Sequence, residues 1–394
     1  MRKFLVLAMA VVLCLNVSAK AKSPKNEGFV FTTVKENPIT SIKNQNRSGT
    51  CWSFSSLGFF EAELLREGKS TYDFSAMFVA NHTMMDRAVN YVRYHGNSSM
   101  AEGGSFYDVL YCLRNYGIVP TAVYKGIEYG DSLPNTGEVV KLMTSYVDAI
   151  AKSNSKKLTP VWKKGFQNMI NAYYGEIPEK FVYEGKEYTP KSYEESLGLN
   201  LDDYVSLTSF THHPFYTQMN IEVEDNWRNG LSYNLPLDEF IAVMDSAINK
   251  GYTFAWGSDV SETGFTRDGI AVLPDESKGA QITGTDMSRW TGMTPDDKRK
   301  ELTSKPLPEK AVTQESRQEG FDNWETTDDH GMVIFGIAKD QNGKEYYMVK
   351  NSWGKAGKYK GIWYASKAFV AAKTMNIMIN KNAIPTEIKA KLHI

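Results

Sequence analysis

A cysteine that opens a helical pattern, a histidine far downstream and an asparagine just beyond it are the side chains here whose types and spacing could do chemistry. Cys51 stands in Asn44-Gln45-Asn46-Arg47-Ser48-Gly49-Thr50-Cys51-Trp52-Ser53-Phe54. A thiol at a helix N-terminus feels the positive end of the macrodipole, which favours the nucleophilic thiolate. Asp329-His330-Gly331 and Lys350-Asn351-Ser352-Trp353-Gly354 follow. A histidine beside a thiol can hold it as a thiolate–imidazolium pair and later protonate a leaving amine, while an amide oxygen orients the ring. Taken singly, Cys51 reads as a buried structural thiol, His330 as a satisfied histidine and Asn351 as a turn residue; together they read as nucleophilic acyl transfer. His82, His95, His212, His213 and His393 have no partner pattern. Adjacent residues in an extended chain point opposite ways, so His212-His213 predicts no metal site, and no cofactor is expected.

The positioning elements follow from hydrophobic periodicity. Apolar residues at Phe54, Leu57, Phe60, Ala62, Leu64 and Leu65 predict a helix over 53–66 that Gly68 ends. A second helix over 105–115 carries Cys112 among Val109, Leu110 and Leu113, where a core thiol is expected. Patterns over 139–151 and 161–174, followed by a Tyr-rich polar stretch, predict an all-helical insertion spanning 136–215. Beyond residue 216 the character turns to β, with strands over 253–256, 332–338, 345–350 and 361–364 and a hairpin signal at Asp340-Gln341-Asn342-Gly343. Residues 274–325 read as a polar insertion in which Thr294 caps one short helix. The expected class is α+β: a helical lobe over 28–135 carries Cys51, and a β lobe over 216–394 carries His330 and Asn351.

Composition narrows the function further. The 394 residues, 42% hydrophobic and 23% charged, are enough for a substantial core. Arg2 and Lys3, the apolar run 4–15 and Val17-Ser18-Ala19 are ordered as in an export signal over residues 1–19. The run is short for a bilayer span, and Leu13 before Cys14 is a poor lipoprotein signal. Cleavage after Ala19 would leave 43 basic and 46 acidic side chains, and only Cys51 and Cys112. The expectation is an exported protein, periplasmic or secreted, with no membrane span after cleavage and no basic excess to bind nucleic acid.

The three motifs in this order resemble the papain-like cysteine peptidases. Ser48 stands where papain and the cathepsins carry a cysteine, which moves the resemblance toward the bleomycin hydrolase and aminopeptidase C branch. So does the interval of 279 residues between Cys51 and His330, against about 130 to 150 in ordinary members. Glu102-Gly103-Gly104, Tyr116-Gly117-Ile118-Val119-Pro120, Tyr188-Thr189-Pro190, 203–207 and 254–257 look like the same branch. The resemblance implies a papain-like two-lobed fold, with a helical lobe facing a twisted, β-barrel-like lobe across a cleft. It implies that Gln45 and the Cys51 amide form the oxyanion hole, Cys51 attacks, His330 is base and acid, and Asn351 orients His330. Trp353 would shield the His330 to Asn351 bond, and Gly103 and Gly104 would let a substrate backbone approach. Asp329, next to His330, would raise the histidine pKa and attract cationic substrate groups.

The resemblance therefore implies a cysteine peptidase acting on peptides, most simply an aminopeptidase C-like exopeptidase, and the N-terminal segment adds the expectation that it is exported. Residues 20–27 leave no room for an inhibitory prodomain, so activity without zymogen cleavage is expected. In the bleomycin hydrolase branch a C-terminal carboxylate in the cleft meets the substrate amino group. Here a last helix starting near Pro385 leaves about three residues, a reach of about 10 Å, so an open cleft with endopeptidase or dipeptidyl action is the alternative. An inactive peptide-binding scaffold is the reading of another class. A transglutaminase-like enzyme would require an aspartate where Asn351 stands. Homo-oligomers are known in the branch, but the sequence does not determine assembly.

Overall fold

The computed structural model describes residues 28–275, 294, 296–297, 300 and 304–394. The expected export signal lies outside these residues, as does the first part of the polar insertion, 276–293. Within that insertion Thr294 Oγ1 accepts the Asp297 N–H at 3.2 Å, the bond expected of a helix cap.

The N-terminal half is built around α1 (Cys51–Arg66), α2 (Ala76–Arg93) and α3 (Phe106–Asn115), followed by α4 (Gly137–Ala151), α5 (Val161–Tyr174) and α6 (Pro190–Leu197). In α1 the chain buries Leu57, Phe59, Phe60, Ala62 and Leu64, a stripe wider than one face. A helix apolar on most sides must be surrounded. It packs on α2 and α3 on one side and on the sheet strands β7 (Phe254–Ser258) and β9 (His330–Lys339) on the other.

The sheet has ten strands: β1 (Thr32–Glu36), β4 (Tyr204–Thr208), β5 (Gln218–Asn220), β6 (Leu231–Asn234), β7, β8 (Ile270–Ala271), β9, β10 (Glu345–Lys350), β11 (Ile362–Ser366) and β12 (Thr374–Asn380). Its order is β5-β6-β4-β12-β7-β9-β10-β11-β8, with β1 pairing the second half of β9. The pairs β4·β6 and β11·β8 are parallel and the others antiparallel. Among the described residues the path has two ends and does not close, so the expected barrel-like lobe is an open sheet. β9 explains how a strand can be apolar at successive positions: Val333 packs toward α1, while Met332 and Ile334 face a second core with α7 (Leu237–Asn249) and α9 (Lys367–Lys373). A strand covered on both faces does not alternate.

Residues 136–215 are not all helical. β2 (Phe181–Tyr183) and β3 (Lys186–Tyr188) form a hairpin, and β4 pairs with β12 in the main sheet. The hairpin loop Glu184-Gly185 has positive φ at both positions, +49° and +79°, as a tight two-residue turn requires. The Tyr-rich stretch supplies a ring cluster rather than a helix: Phe181, Tyr183 and Tyr188 surround Tyr193 with centroids 5.3 to 5.8 Å away. The β half also holds helices, among them α7, α8 (Gln314–Asp322), α9 and α10 (Thr386–Leu392). No helix among the described residues is long and apolar enough to cross a membrane.

Phe60 is fully buried and meets Tyr204 edge-on at 4.9 Å, joining α1 to β4. Phe60→Ala should therefore cost about 3–5 kcal/mol in urea unfolding; a loss under about 1 kcal/mol would show that this contact does not carry the packing of α1 on the sheet.

Candidate active site

The loop before α1 is held by its own hydroxyls and by a distant strand. Ser48 Oγ donates to the Gln45 carbonyl at 2.8 Å and meets Thr50 Oγ1 at 2.6 Å. The backbone of 43–45 pairs with 352–354, Gln45 N–H donating to Ser352 O at 2.8 Å and Gly354 N–H to Lys43 O at 3.0 Å. Glu102, just before α3, accepts the Gly49 N–H and the Thr136 hydroxyl, both at 2.7 Å. This loop delivers Cys51 to the first position of α1. Both cysteines of the described chain are free, Cys112 being buried in the helical core.

Cys51 and His330 line one cavity of about 550 Å³, together with Trp52, Gly104, Phe106, Asp225, Asp328 and Asp329. His330 opens β9, opposite Ser258 of β7. Its Nε2 lies 2.8 Å from Asn351 Oδ1, which also accepts the Ser352 N–H at 2.7 Å. Because that oxygen can only accept, Nε2 carries the proton and Nδ1 keeps the lone pair for exchange with a thiol. The Trp353 ring packs on the imidazole at 4.7 Å and meets Trp363 edge-on at 5.6 Å, covering the His330 to Asn351 bond with apolar surface. Gly331 is needed for packing, since a Cβ there would lie 2.6 Å from Ser55 Oγ and 3.4 Å from the Cys51 carbonyl.

Burial dominates the electrostatics of the pair. It pushes the Cys51 thiol up to about 12, against the Gly331 and Trp52 backbone N–H groups that favour thiolate, and with Asp328 and Asp225 adding repulsion. It pushes His330 down to about 4, against the hydrogen bond to Asn351. The pair is therefore thiol and neutral imidazole at neutral pH, and transfer of the proton to Nδ1 would convert the thiol to thiolate. That transfer leaves the net charge of the cavity unchanged. The macrodipole is outweighed by desolvation at this position.

Asp329 does not raise the His330 pKa as its adjacency suggests. Its carboxylate is turned to the β7 side, accepting the Val260 N–H at 3.2 Å, the Ser261 N–H at 3.1 Å and the Thr327 hydroxyl at 2.8 Å. The acid facing the thiol is Asp328, pushed up to about 7 by burial and by repulsion from Asp225 and Asp329. Burial also raises Asp225, opposed by the Arg87 guanidinium 3.8 Å away. Sequence reasoning missed both: Asp328 looks like a solvated charge, and Asp225 has no local motif.

The glycines and the glutamine sit differently from one another. Gly104 lines the cavity, but a Cβ there would meet Trp52 at 2.8 Å. Gly103 lies behind it, where a Cβ would come within 2.0 Å of Asp225. Side chains of the protein, not only an incoming backbone, require glycine at both. Gln45 is buried behind the cleft wall, its Nε2 donating to Ser48 O at 2.8 Å and its Oε1 accepting from Ser352 Oγ at 2.5 Å. His212 and His213 lie away from this cavity, and contrary to the extended-chain expectation their rings converge on Glu222.

A histidine that refuses a proton when folded loses stability in acid. Unfolded, His330 titrates near 6.5; folded, near 4, so its contribution is complete above about 6.5 and is lost as pH falls from 6.5 through 4. Chemical unfolding of wild type and His330→Gln between pH 7.5 and 4 should show this loss in wild type and a shallower one in the variant. Parallel curves would refute a buried neutral imidazole.

Comparison with known proteins supplies the family. The model of the Peptidase C1-like family matches residues 3–275 and 308–394. Aminopeptidase C of Streptococcus thermophilus is 24% identical over 95% of this chain and 87% of its own length. Aminopeptidase E of Lactobacillus helveticus is 22% identical over 91% and 85%. The crystal structure of PepW from Lactobacillus rhamnosis superposes with a TM-score of 0.65 at 21% identity, covering 92% of this chain and 84% of that one. Its fold is thus shared along nearly the whole described chain, and the match of the family model shows that the chain belongs to the Peptidase C1-like family.

Proposed function

We propose that this protein is a cysteine peptidase that removes residues from the amino end of peptides. The observation that carries the reading is the Cys51 thiol at the head of α1 in one cavity with His330, whose ring Asn351 orients through Nε2. Cys51 attacks the scissile carbonyl as His330 Nδ1 takes its proton. The imidazolium then protonates the leaving amine, and water hydrolyses the thioester through the same base. By the resemblance of the motif, the Cys51 backbone N–H and the Gln45 amide are the donors assigned to the oxyanion, Gln45 from behind the cleft wall.

The amino-end preference is supported by the names of the relatives and by the acidic wall. Asp328 and Asp225 stand in the cavity beside the thiol, where a carboxylate can bind a substrate ammonium group. A dipeptidyl or endopeptidase mode is the second reading. Residues 386–394 pack into the second core, and none of them lines the cavity. We also assign residues 1–19 as an export signal, on the order of their basic, apolar and small-residue segments.

Purified protein should hydrolyse a free-amino aminoacyl reporter in preference to its N-blocked counterpart, and Cys51→Ala should abolish both activities. Asp328→Asn should lower kcat/KM for the free-amino reporter about tenfold, the worth of one hydrogen bond to a charged group, and leave the blocked one unchanged. Since Asp328 ionises near 7, the free-amino KM should fall as pH rises through 7 in wild type only. Equal rates on both reporters would instead support the endopeptidase mode. N-terminal sequencing of protein recovered outside the cytoplasm should begin at Lys20; an intact Met1 there would refute the export assignment.

A further inference from the structure

The loop between β4 and β5 brings two imidazoles and a carboxylate to one point. Residues 211–213 turn rather than extend, and Asn234 Nδ2 fixes the turn by donating to the carbonyls of Phe210 at 2.7 Å, His213 at 3.0 Å and Pro214 at 3.3 Å. His212 Nε2 lies 3.0 Å from Glu222 Oε2, and His213 Nε2 lies 3.0 Å from Glu222 Oε1. One ligand atom from each of the three residues falls within 4.8 Å of the others.

The surroundings hold this arrangement. The His212 ring stacks on Phe321 of α8 at 5.6 Å and 13°. Its Nδ1 lies 3.0 Å from Gln318 Nε2 and 3.4 Å from Gln318 Oε1, so either tautomer finds a partner. Gln318 is itself fixed, accepting the Thr211 N–H at 2.6 Å and donating to Asp322 at 2.8 Å. Burial raises the Glu222 carboxyl, but the hydrogen bonds from His213 and His212 more than reverse this and leave it below its ordinary range. An anionic carboxylate with two imidazole nitrogens is a donor set for zinc-class cations, and a second-sphere group on the far ring nitrogen orients such ligands.

We infer that His212, His213 and Glu222 bind one divalent d-block cation of the zinc class, at a site separate from Cys51 and His330. Bonds of about 2.0–2.2 Å at tetrahedral angles place donors about 3.3–3.5 Å apart, so the 3.0 Å spacings open by a few tenths of an ångström while the widest separation, within 4.8 Å, closes. Each imidazole moves its proton from Nε2 to Nδ1, where His212 meets Gln318 Oε1 and His213, half-exposed, meets water. No proton is lost in the exchange. Glu222 lies between Ile221 and Val223, both of which line the catalytic cavity, so the cation would tie that wall to the β4–β5 loop. The inference does not depend on the peptidase reading.

The test uses full-length Cys51→Ala protein, which removes the competing thiol and leaves Cys112 buried. Titration with Zn²⁺ by calorimetry should give one equivalent with a Kd in the micromolar range or tighter, and Co²⁺ should develop visible d–d bands. His213→Ala and Glu222→Gln in that background should each weaken Zn²⁺ binding tenfold or more. The absence of saturable binding below about 1 mM, or affinity unchanged in both variants, overturns the site. So does a zinc-induced rise in Tm that persists in both variants, because it places the metal elsewhere.

Discussion

Two backbone hydrogen bonds join the segment before the nucleophile to the segment after the orienting asparagine, and the active site depends on that clamp. Gln45 N–H to Ser352 O and Gly354 N–H to Lys43 O fix the start of α1 relative to the end of β10. Everything chemical lies within a few residues of one side or the other: Cys51 six positions after Gln45, Asn351 beside Ser352, and Trp353 covering the imidazole. The sheet then fixes the third corner, because β9 pairs with both β7 and β10 and so sets His330 in register with Ser258 and Lys350 with Val333. A hydrogen-bonded ladder tolerates no gradual slip, so the constellation is positioned by register more than by side-chain packing.

Within that frame the balance of forces favours a neutral resting state. Desolvation is the largest influence on both the thiol and the imidazole, and the field of the helix start is too small to reverse it. Asp225 and Asp328 already act against a negative charge on the sulfur, and a thiolate there would add to their repulsion. A cationic group of a substrate would relieve that repulsion and stabilise the thiolate in the same step.

The residues gathered at the candidate site were legible because each sits in a short local motif whose residues also pack it: Trp52 beside Cys51, Gly331 beside His330, Trp353 near Asn351. The strands of the β half were legible where β-branched and aromatic residues run together, as in β9 and β10. The acid wall was not, since Asp225 lies on a single 3-10 turn, Glu224–Asn226, and reaches the cavity only through tertiary folding. The insertion was misread because its tyrosines form a hairpin-backed cluster around Tyr193 instead of a helical stripe. The two histidines were misread for a related reason: alternation along a strand was applied to a turn that Asn234 holds from another strand. The barrel-like expectation failed at the sheet ends, whose short strands β5 and β8 leave the path open.

The position of β12 has a consequence for how the molecule comes into being. This strand, among the last segments to be synthesised, lies in the interior of the sheet between β4 and β7. Until residue 380 has emerged, the strands already made form two fragments with unpaired edges, and α1 lacks part of the surface it is buried against. The segment that carries Cys51 is translated long before β9, whose first residue is His330 and against which α1 packs. A newly made chain thus carries Cys51 without His330 or Asn351 through most of its synthesis.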